Sequence, residues 1–223
     1  MKSEPIAVIW DVDGTLVDTA ELHFQAWERM SGEMGRPFSR DDFAATFGRR
    51  NPEIIRFLFR QEFTDQEVGD IGERKEGYYR TEAEKSVALL PGVRDLLEGF
   101  RAAGVRQAIG SSAPRQNVEM IMRLTKTSEF FEALVGMEDT QRGKPDPQVF
   151  LTAAEKLGVP PSRCLVLEDA IAGVQAAKGG GMKCVAVTFA GHHPAEKLKE
   201  AGADLVVGCF TEVRAADLLG LIR

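Results

Sequence analysis

Residues 10–18 read WDVDGTLVD: two carboxylates, Asp11 and Asp13, stand two positions apart where an apolar run gives out and Gly14-Thr15 begins. In extended chain that spacing turns both side chains to one side, and Gly14 permits a sharp turn and a close backbone approach. Two acids so close repel, and their pKa values split unless a cation neutralises one of them. The pair would then suit a metal-assisted nucleophile beside an acid/base. Asp-Val-Asp-Gly is equally ordinary turn chemistry, and this stretch alone leaves both readings open.

Three later stretches carry related side chains. AIGSSAP, residues 108–114, follows an apolar run with two hydroxyls and a proline that opens a helix. Amides and a hydroxyl at a helix start make a site for phosphate, although Ser111 or Ser112 as a plain helix cap accounts for the stretch taken alone. In RGKPDP, residues 142–147, Lys144 is stiffened by Pro145 and offers a point charge to a phosphate oxygen. A solvated loop lysine is the commoner case. CLVLEDAIAGVQAA, residues 164–177, ends an apolar run on Glu168 and Asp169 just ahead of a helical pattern. Adjacent carboxylates there either favour a helix start or hold a hard cation such as Mg2+, which takes oxygen ligands and keeps several waters. Asp11, Asp13 and Asp169 together, all at strand ends, strengthen the metal reading.

These residues need a frame, and the hydrophobic pattern supplies one. Apolar runs at 6–10, 105–109, 133–135, 164–167, 184–187 and 204–207 predict strands. Helical periodicity at 92–103, 116–124, 147–157 and 171–177 lies between most of them. Such alternation predicts an α/β fold, a doubly wound, Rossmann-like parallel sheet whose ligands bind outside the carboxyl ends of its strands. Residues 18–85 break the rhythm, with amphipathic helices predicted at 19–34, 40–47, 52–60 and 64–83 and no convincing strand. A block this long exceeds a crossover connection. The chain therefore divides into an α/β catalytic core, residues 1–17 and 87–223, and an inserted α-helical cap domain, residues 18–86. Junctions near 17–19 and 86–92 would be the hinges about which a cap closes. The GGG run at 179–181 is a helix end followed by a turn.

Composition excludes several partners. The net charge is −6 and the Lys and Arg residues are dispersed, so neither nucleic acid nor an anionic membrane is expected to bind. No apolar stretch reaches the ~20 residues of a membrane span, and the start MKSEPIAVIW lacks a cleavable signal's pattern. A cytoplasmic protein, monomeric or weakly dimeric, is expected. Cys164, Cys184 and Cys209 are odd in number, have no paired spacing and adjoin apolar segments, which predicts buried small side chains rather than a disulfide or zinc site.

Taken in order, DVDGT at 11–15, Ser111, Lys144 and the Glu168-Asp169 pair resemble the four motifs of the haloacid dehalogenase superfamily, over nearly the whole chain. A helical insertion straight after the first motif, with DTAELHFQAW at 18–27 and GKPDPQVFLTAAEKLGV at 143–159, is similar to the beta-phosphoglucomutase-like branch. The resemblance implies that Asp11 is the nucleophile and forms an aspartyl-phosphate. It implies that Asp13 protonates the leaving oxygen and then activates water. Mg2+ would be held by the Asp11 carboxylate, the Asp13 backbone carbonyl and Asp169, with Glu168 as a ligand or as an orienter of metal-bound water. Ser111, beside Ser112, and Lys144 would hold the phosphoryl oxygens. In the cap, the loop FGRRNPEII with Gly48, Arg49, Arg50 and Asn51 would contact substrate, as would Lys75 in ERKEGYY. His23, near the hinge, would handle a proton or orient Asp13. Solvated arginines and a packed histidine are the plainer alternatives, and His192 and His193 are most simply loop residues. Trp10 and Ala170 stand where the family often has Phe and Ser, so Ala170 takes a hydroxyl away from the metal's surroundings.

The activity so implied is Mg2+-dependent hydrolysis of a small phosphorylated metabolite, a sugar phosphate. Within the same branch the alternative is a hexose phosphate mutase of the beta-phosphoglucomutase type. From another class, a receiver-like phospho-acceptor module also combines a parallel sheet, an Asp and Mg2+, but such modules are shorter and have no helical insertion. A halide-releasing dehalogenase shares the Asp nucleophile, whereas Asp13 and the Glu168-Asp169 pair favour phosphate.

Overall fold

The computed structural model describes residues 4–222. Six parallel strands form one sheet: β1 (Ala7–Trp10), β2 (Arg106–Gly110), β3 (Ala133–Val135), β4 (Cys164–Glu168), β5 (Lys183–Val187) and β6 (Leu205–Val207). Their spatial order is β3-β2-β1-β4-β5-β6, the doubly wound arrangement. Strand β1 sits where the order reverses, so the carboxyl ends of β1 and its neighbours face the crevice where ligands of such sheets bind.

Five helices follow β1 before the next strand, and the first four form the insertion: α1 (Ala20–Glu33), α2 (Arg40–Thr46), α3 (Asn51–Phe59) and α4 (Asp65–Ser86). The core helices are α5 (Val93–Ala102), α6 (Arg115–Thr125), α7 (Gln148–Leu157), α8 (Ile171–Gly179), α9 (Ala195–Glu200) and α10 (Ala215–Leu219). Among the described residues, no helix is long and apolar enough to cross a membrane.

The strands read as unbroken apolar runs because both faces of the sheet are covered. Val8 and Trp10 join Leu165, Leu167, Val185 and Phe100 on one side. Ala7 and Ile9 join Val166, Cys184 and Phe150 on the other. Burying an indole and an amide there leaves no donor stranded, since Trp10 Nε1 donates to Gln107 Oε1 at 3.0 Å and Gln107 Nε2 donates to the Leu97 carbonyl at 3.0 Å. Cys164 and Cys184 are buried in β4 and β5, Cys209 is half-buried, and all three are free thiols.

The inserted helices have their own aromatic core, with Phe24, Trp27, Phe38, Phe43 and Phe47 packed on Ile55 and Ile71. Their starts are set by local chemistry. Ser39 with Asp42 and Thr64 with Glu67 form capping boxes at α2 and α4, each satisfying otherwise orphan backbone donors. The chain leaves and re-enters the core side by side: Val17 pairs with Leu89, and the Leu90 N–H donates to the Leu16 carbonyl at 3.0 Å.

Candidate active site

Register brings the acids together. β1 and β4 pair so that Trp10 lies opposite Leu167, and the Asp11 N–H donates to the Leu167 carbonyl at 3.0 Å. The residue after β1 and the residues ending β4 must therefore meet. Asp11, Glu168 and Asp169 are all buried, and one carboxylate oxygen from each lies within 4.8 Å of the others. Lys144, from the loop before α7, reaches in with Nζ 2.6 Å from Asp11 Oδ1 and 2.7 Å from Glu168 Oε1. The other Glu168 oxygen accepts the N–H groups of Asp169 and Ala170, both at 2.7 Å.

This cluster shifts its own proton equilibria. Burial pushes the Asp11 carboxyl up to about 8, with Glu168 and Asp13 adding to the effect and Lys144 opposing it. Burial, then Glu168 and Asp11, hold Asp169 well above the usual carboxylate range. Burial works against the Lys144 ammonium, but the Asp11 and Glu168 carboxylates outweigh it and raise its pKa.

The donors fit a hard divalent cation. Asp169 Oδ2 is buried without a hydrogen-bond partner, a costly condition unless something charged meets it. Gly14 leaves the room: at φ +84°, a Cβ there would stand 2.0 Å from that oxygen. Oxygen donors on rigid strand ends are the ligands that Mg2+ and Ca2+ take.

Asp13 turns away from this cluster, towards the inserted helices. Its Oδ1 accepts from Thr19 Oγ1 at 2.5 Å and from the Tyr79 hydroxyl at 3.3 Å. His23 Nε2 lies 3.0 Å from the same oxygen, with its N–H off the line of a good hydrogen bond. Behind it, Lys75 Nζ is 2.7 Å from His23 Nδ1. An ammonium can only donate, so Nδ1 accepts and the ring proton is assigned to Nε2, facing Asp13. The His23 ring also stacks on Tyr79, with centroids 3.9 Å apart. Burial alone would raise the Asp13 carboxyl, but contact with His23, the Thr19 hydrogen bond and the Lys75 charge bring it down to about 2.

A pocket opens between the inserted helices and the core. Asp11, Asp13, Ser111, Ser112 and Ala113 form its core side. His23, Trp27, Phe43, Thr46, Phe47, Gly48, Arg49, Asn51, Ile54 and Glu76 form the other. Ser111 follows β2, and its Oγ accepts the Ala113 N–H at 3.0 Å; neither serine caps α6. Gly48 lies against the core, where a Cβ would stand 3.0 Å from the Ala170 Cβ. Arg49 is exposed, at the rim.

Two of the expected cap contacts lie elsewhere. Arg50 is not in the lining: its Nη1 donates to the Thr140 carbonyl at 3.1 Å and ties α3 to the core. Lys75 is 1% exposed and sits behind His23 and Glu76 rather than on the pocket wall. His192, in the loop after β5, packs its ring 4.4 Å from that of Phe47. The sequence reading passed over Thr19, Tyr79, Trp27 and Glu76. A hydroxyl one helical turn before His23 was a usable signal for Thr19, whereas the long helix α4 gives no sign of which face meets the site.

A six-stranded parallel sheet, a helical insertion after β1 and a buried carboxylate–lysine cluster at the switch point define the class, an α/β enzyme whose buried acids could hold a metal ion. The chain belongs to the haloacid dehalogenase-like hydrolase family, whose model matches residues 8–187. It is 34% identical over 208 residues to beta-phosphoglucomutase of Bacillus subtilis, covering 90% of this chain and 88% of that protein. A phosphorylated carbohydrates phosphatase of Thermotoga maritima is 30% identical over 205 residues, covering 90% and 93%. The crystal structure of CbbY from Rhodobacter sphaeroides in complex with phosphate superposes with a TM-score of 0.84 at 30% identity, covering 96% of this chain and 99% of that one. A mutant of the same CbbY, 28% identical with a TM-score of 0.84, was solved with xylulose 1,5-bisphosphate.

Proposed function

We propose that this protein is a Mg2+-dependent phosphatase of phosphorylated sugars that works through an aspartyl-phosphate on Asp11. The carrying observation is a division of the two aspartates. Asp11 is paired with Lys144 beside the acidic cluster, while Asp13, on the same pocket, is oriented by Thr19, Tyr79 and His23. An anionic nucleophile approaches an anionic phosphate only where cations neutralise the encounter.

Asp11, Asp169 and the Asp13 backbone carbonyl would hold the metal. Glu168 already spends both oxygens on Lys144 and on two backbone N–H groups, which supports an orienting role for it. Bound Mg2+ supplies charge neutralisation to the phosphoryl oxygens. Lys144 and Ser111 hold those oxygens from the protein side. The Asp11 carboxylate oxygen forms a bond to phosphorus as the bond from phosphorus to the sugar oxygen breaks, and Asp13 gives that oxygen its proton. Asp13 then takes a proton from water, whose oxygen attacks phosphorus and frees Asp11 with release of inorganic phosphate. One hard displacement becomes two easier ones. An ionised Asp13 is set for the water step, and an anionic phosphoryl group arriving beside it raises its pKa towards the protonated form that the first step needs.

The named substrates of the Thermotoga phosphatase and the sugar bisphosphate bound to the CbbY mutant support a sugar phosphate here. The Bacillus relative favours one second reading, a hexose phosphate mutase. The test is a screen of inorganic phosphate release across phosphorylated sugars, run beside conversion of beta-glucose 1-phosphate with and without a hexose bisphosphate activator. Release in multiple turnover is expected. Isomerisation without release would replace the phosphatase reading with the mutase one.

A further inference from the structure

The wall of the pocket opposite the reacting carboxylates carries a buried acid of its own. Glu76, on α4, is 2% exposed and lines the pocket beside His23 and Asn51. Its Oε1 accepts from Asn51 Nδ2 at 2.8 Å and from Lys75 Nζ at 2.9 Å. Its Oε2 accepts from Asn117 Nδ2, on core helix α6, at 2.6 Å. Arg80 Nη1 donates to Asn117 Oδ1 at 3.1 Å, which fixes that amide so that its NH2 faces Glu76. A carboxylate offers about four acceptor positions. Three are taken, and one on Oε2 is left over.

These donors also keep the group charged. Burial would favour the neutral acid, but the Lys75 charge and the hydrogen bonds from Lys75 and Asn51 hold the Glu76 carboxyl below its usual range. Lys75 lies behind the carboxylate, so a ligand meets the oxygens and not the ammonium. Among the described residues that line the pocket, Arg49 is the one lysine or arginine, and it stands exposed at the rim. The wall that flanks Glu76 includes the apolar side chains Trp27 and Ile54.

We propose that Glu76 is a specificity-determining residue, which selects an uncharged, hydroxylated group at the end of the substrate away from the transferring phosphoryl and disfavours a second phosphate there. A sugar hydroxyl can donate to the spare position on Oε2. A phosphate dianion brings only acceptors and like charge to a buried carboxylate, so both surfaces are left unpaired. The inference rests on the phosphatase reading above and narrows it to monophosphates of sugars or polyols.

The test compares kcat/KM for phosphate release from matched hexose and pentose monophosphates and bisphosphates, and from an aryl phosphate too small to reach α4, in the wild type and in Glu76→Gln. The wild type is expected to prefer the monophosphate of a pair by at least about tenfold, the least that a like-charge, acceptor-on-acceptor contact imposes. Glu76→Gln, which keeps the shape and adds a donor, should shrink that preference by a similar factor, mainly through a lower KM for the bisphosphate. A purely structural role would instead lower both members of a pair alike. Equal use of mono- and bisphosphate by the wild type, or a ratio unmoved in folded Glu76→Gln, overturns the proposal. If the variant fails to fold, the wild-type ratio decides alone. A wild type that hydrolyses the sugar bisphosphates but no sugar monophosphate overturns the proposal while leaving the phosphatase reading standing. One that hydrolyses none of these esters overturns both.

Discussion

Asp11 and Asp13 are the same residue two positions apart, yet their surroundings drive them in opposite directions, to about 8 and about 2. Asp11 is buried among acids, while Asp13 is met by Thr19, His23 and Tyr79, a division that supports the different tasks proposed for them. Asp11→Asn keeps the shape and removes the proposed nucleophile. Phosphate release should fall to background while the melting temperature holds or rises, since a buried, repelled carboxyl is gone. Asp13→Asn should lower kcat by about 10²–10⁴, the usual worth of a positioned acid/base. Rates equal to the wild type in either variant, measured in multiple turnover, would remove the corresponding role. The gathering of Asp11, Asp13, Ser111, Lys144, Glu168 and Asp169 in one region was legible in the sequence because they stand at or just past the end of an apolar strand, or beside a proline before a helix. Glu76 was not legible. In ERKEGYY it looks like an ordinary surface charge beside Lys75, and only the packing of α4 against α1, α3 and α6 buries it.

At the scale of elements, the strands betrayed themselves through burial on both faces, and their observed limits differ from the expected ones by a residue at most. The helices of the insertion and the core were equally legible wherever three or more turns gave a period to count. Helices α9 and α10, at 6 and 5 residues, are too short for one and passed unnoticed. The turn from β1 into the insertion carries the tightest constraint. Gly14 holds φ +84°, a region that costs an L-residue about 1–2 kcal/mol, and its missing Cβ is the space beside Asp169 Oδ2. Gly14→Ala should therefore lower stability by at least about that amount and also displace Asp169. The outcome to measure is a drop in melting temperature together with loss of divalent-cation dependence in turnover. A variant with unchanged activity and cation response would show that the turn does not shape the site.

The molecule as a whole brings three buried acids to one point against a single lysine, and this balance should be visible in its stability. Asp11 and Asp169 have folded-state pKa values above their unfolded ones, so the stability they contribute is full below about pH 4 and is lost as pH rises through the folded values, about 8 for Asp11. Asp13 is lowered, and its contribution is present above the unfolded value and lost only as pH falls towards about 2. Between pH 5 and 9 the raised pair dominates, and metal-free protein should melt at progressively lower temperature as the pH climbs. A divalent cation binds the deprotonated carboxylates of the folded state, so Mg2+ should oppose that decline more strongly at pH 8 than at pH 5. At a hundredfold excess over its dissociation constant, linkage gives about 2.7 kcal/mol. For a chain of 223 residues that corresponds to a rise of about 5–10 °C, reversed by a chelator. Scanning calorimetry at the two pH values, with and without Mg2+, tests this directly. A melting temperature indifferent to Mg2+ at both would remove the metal from Asp11 and Asp169, and Lys144 would be left as the cluster's sole counter-charge.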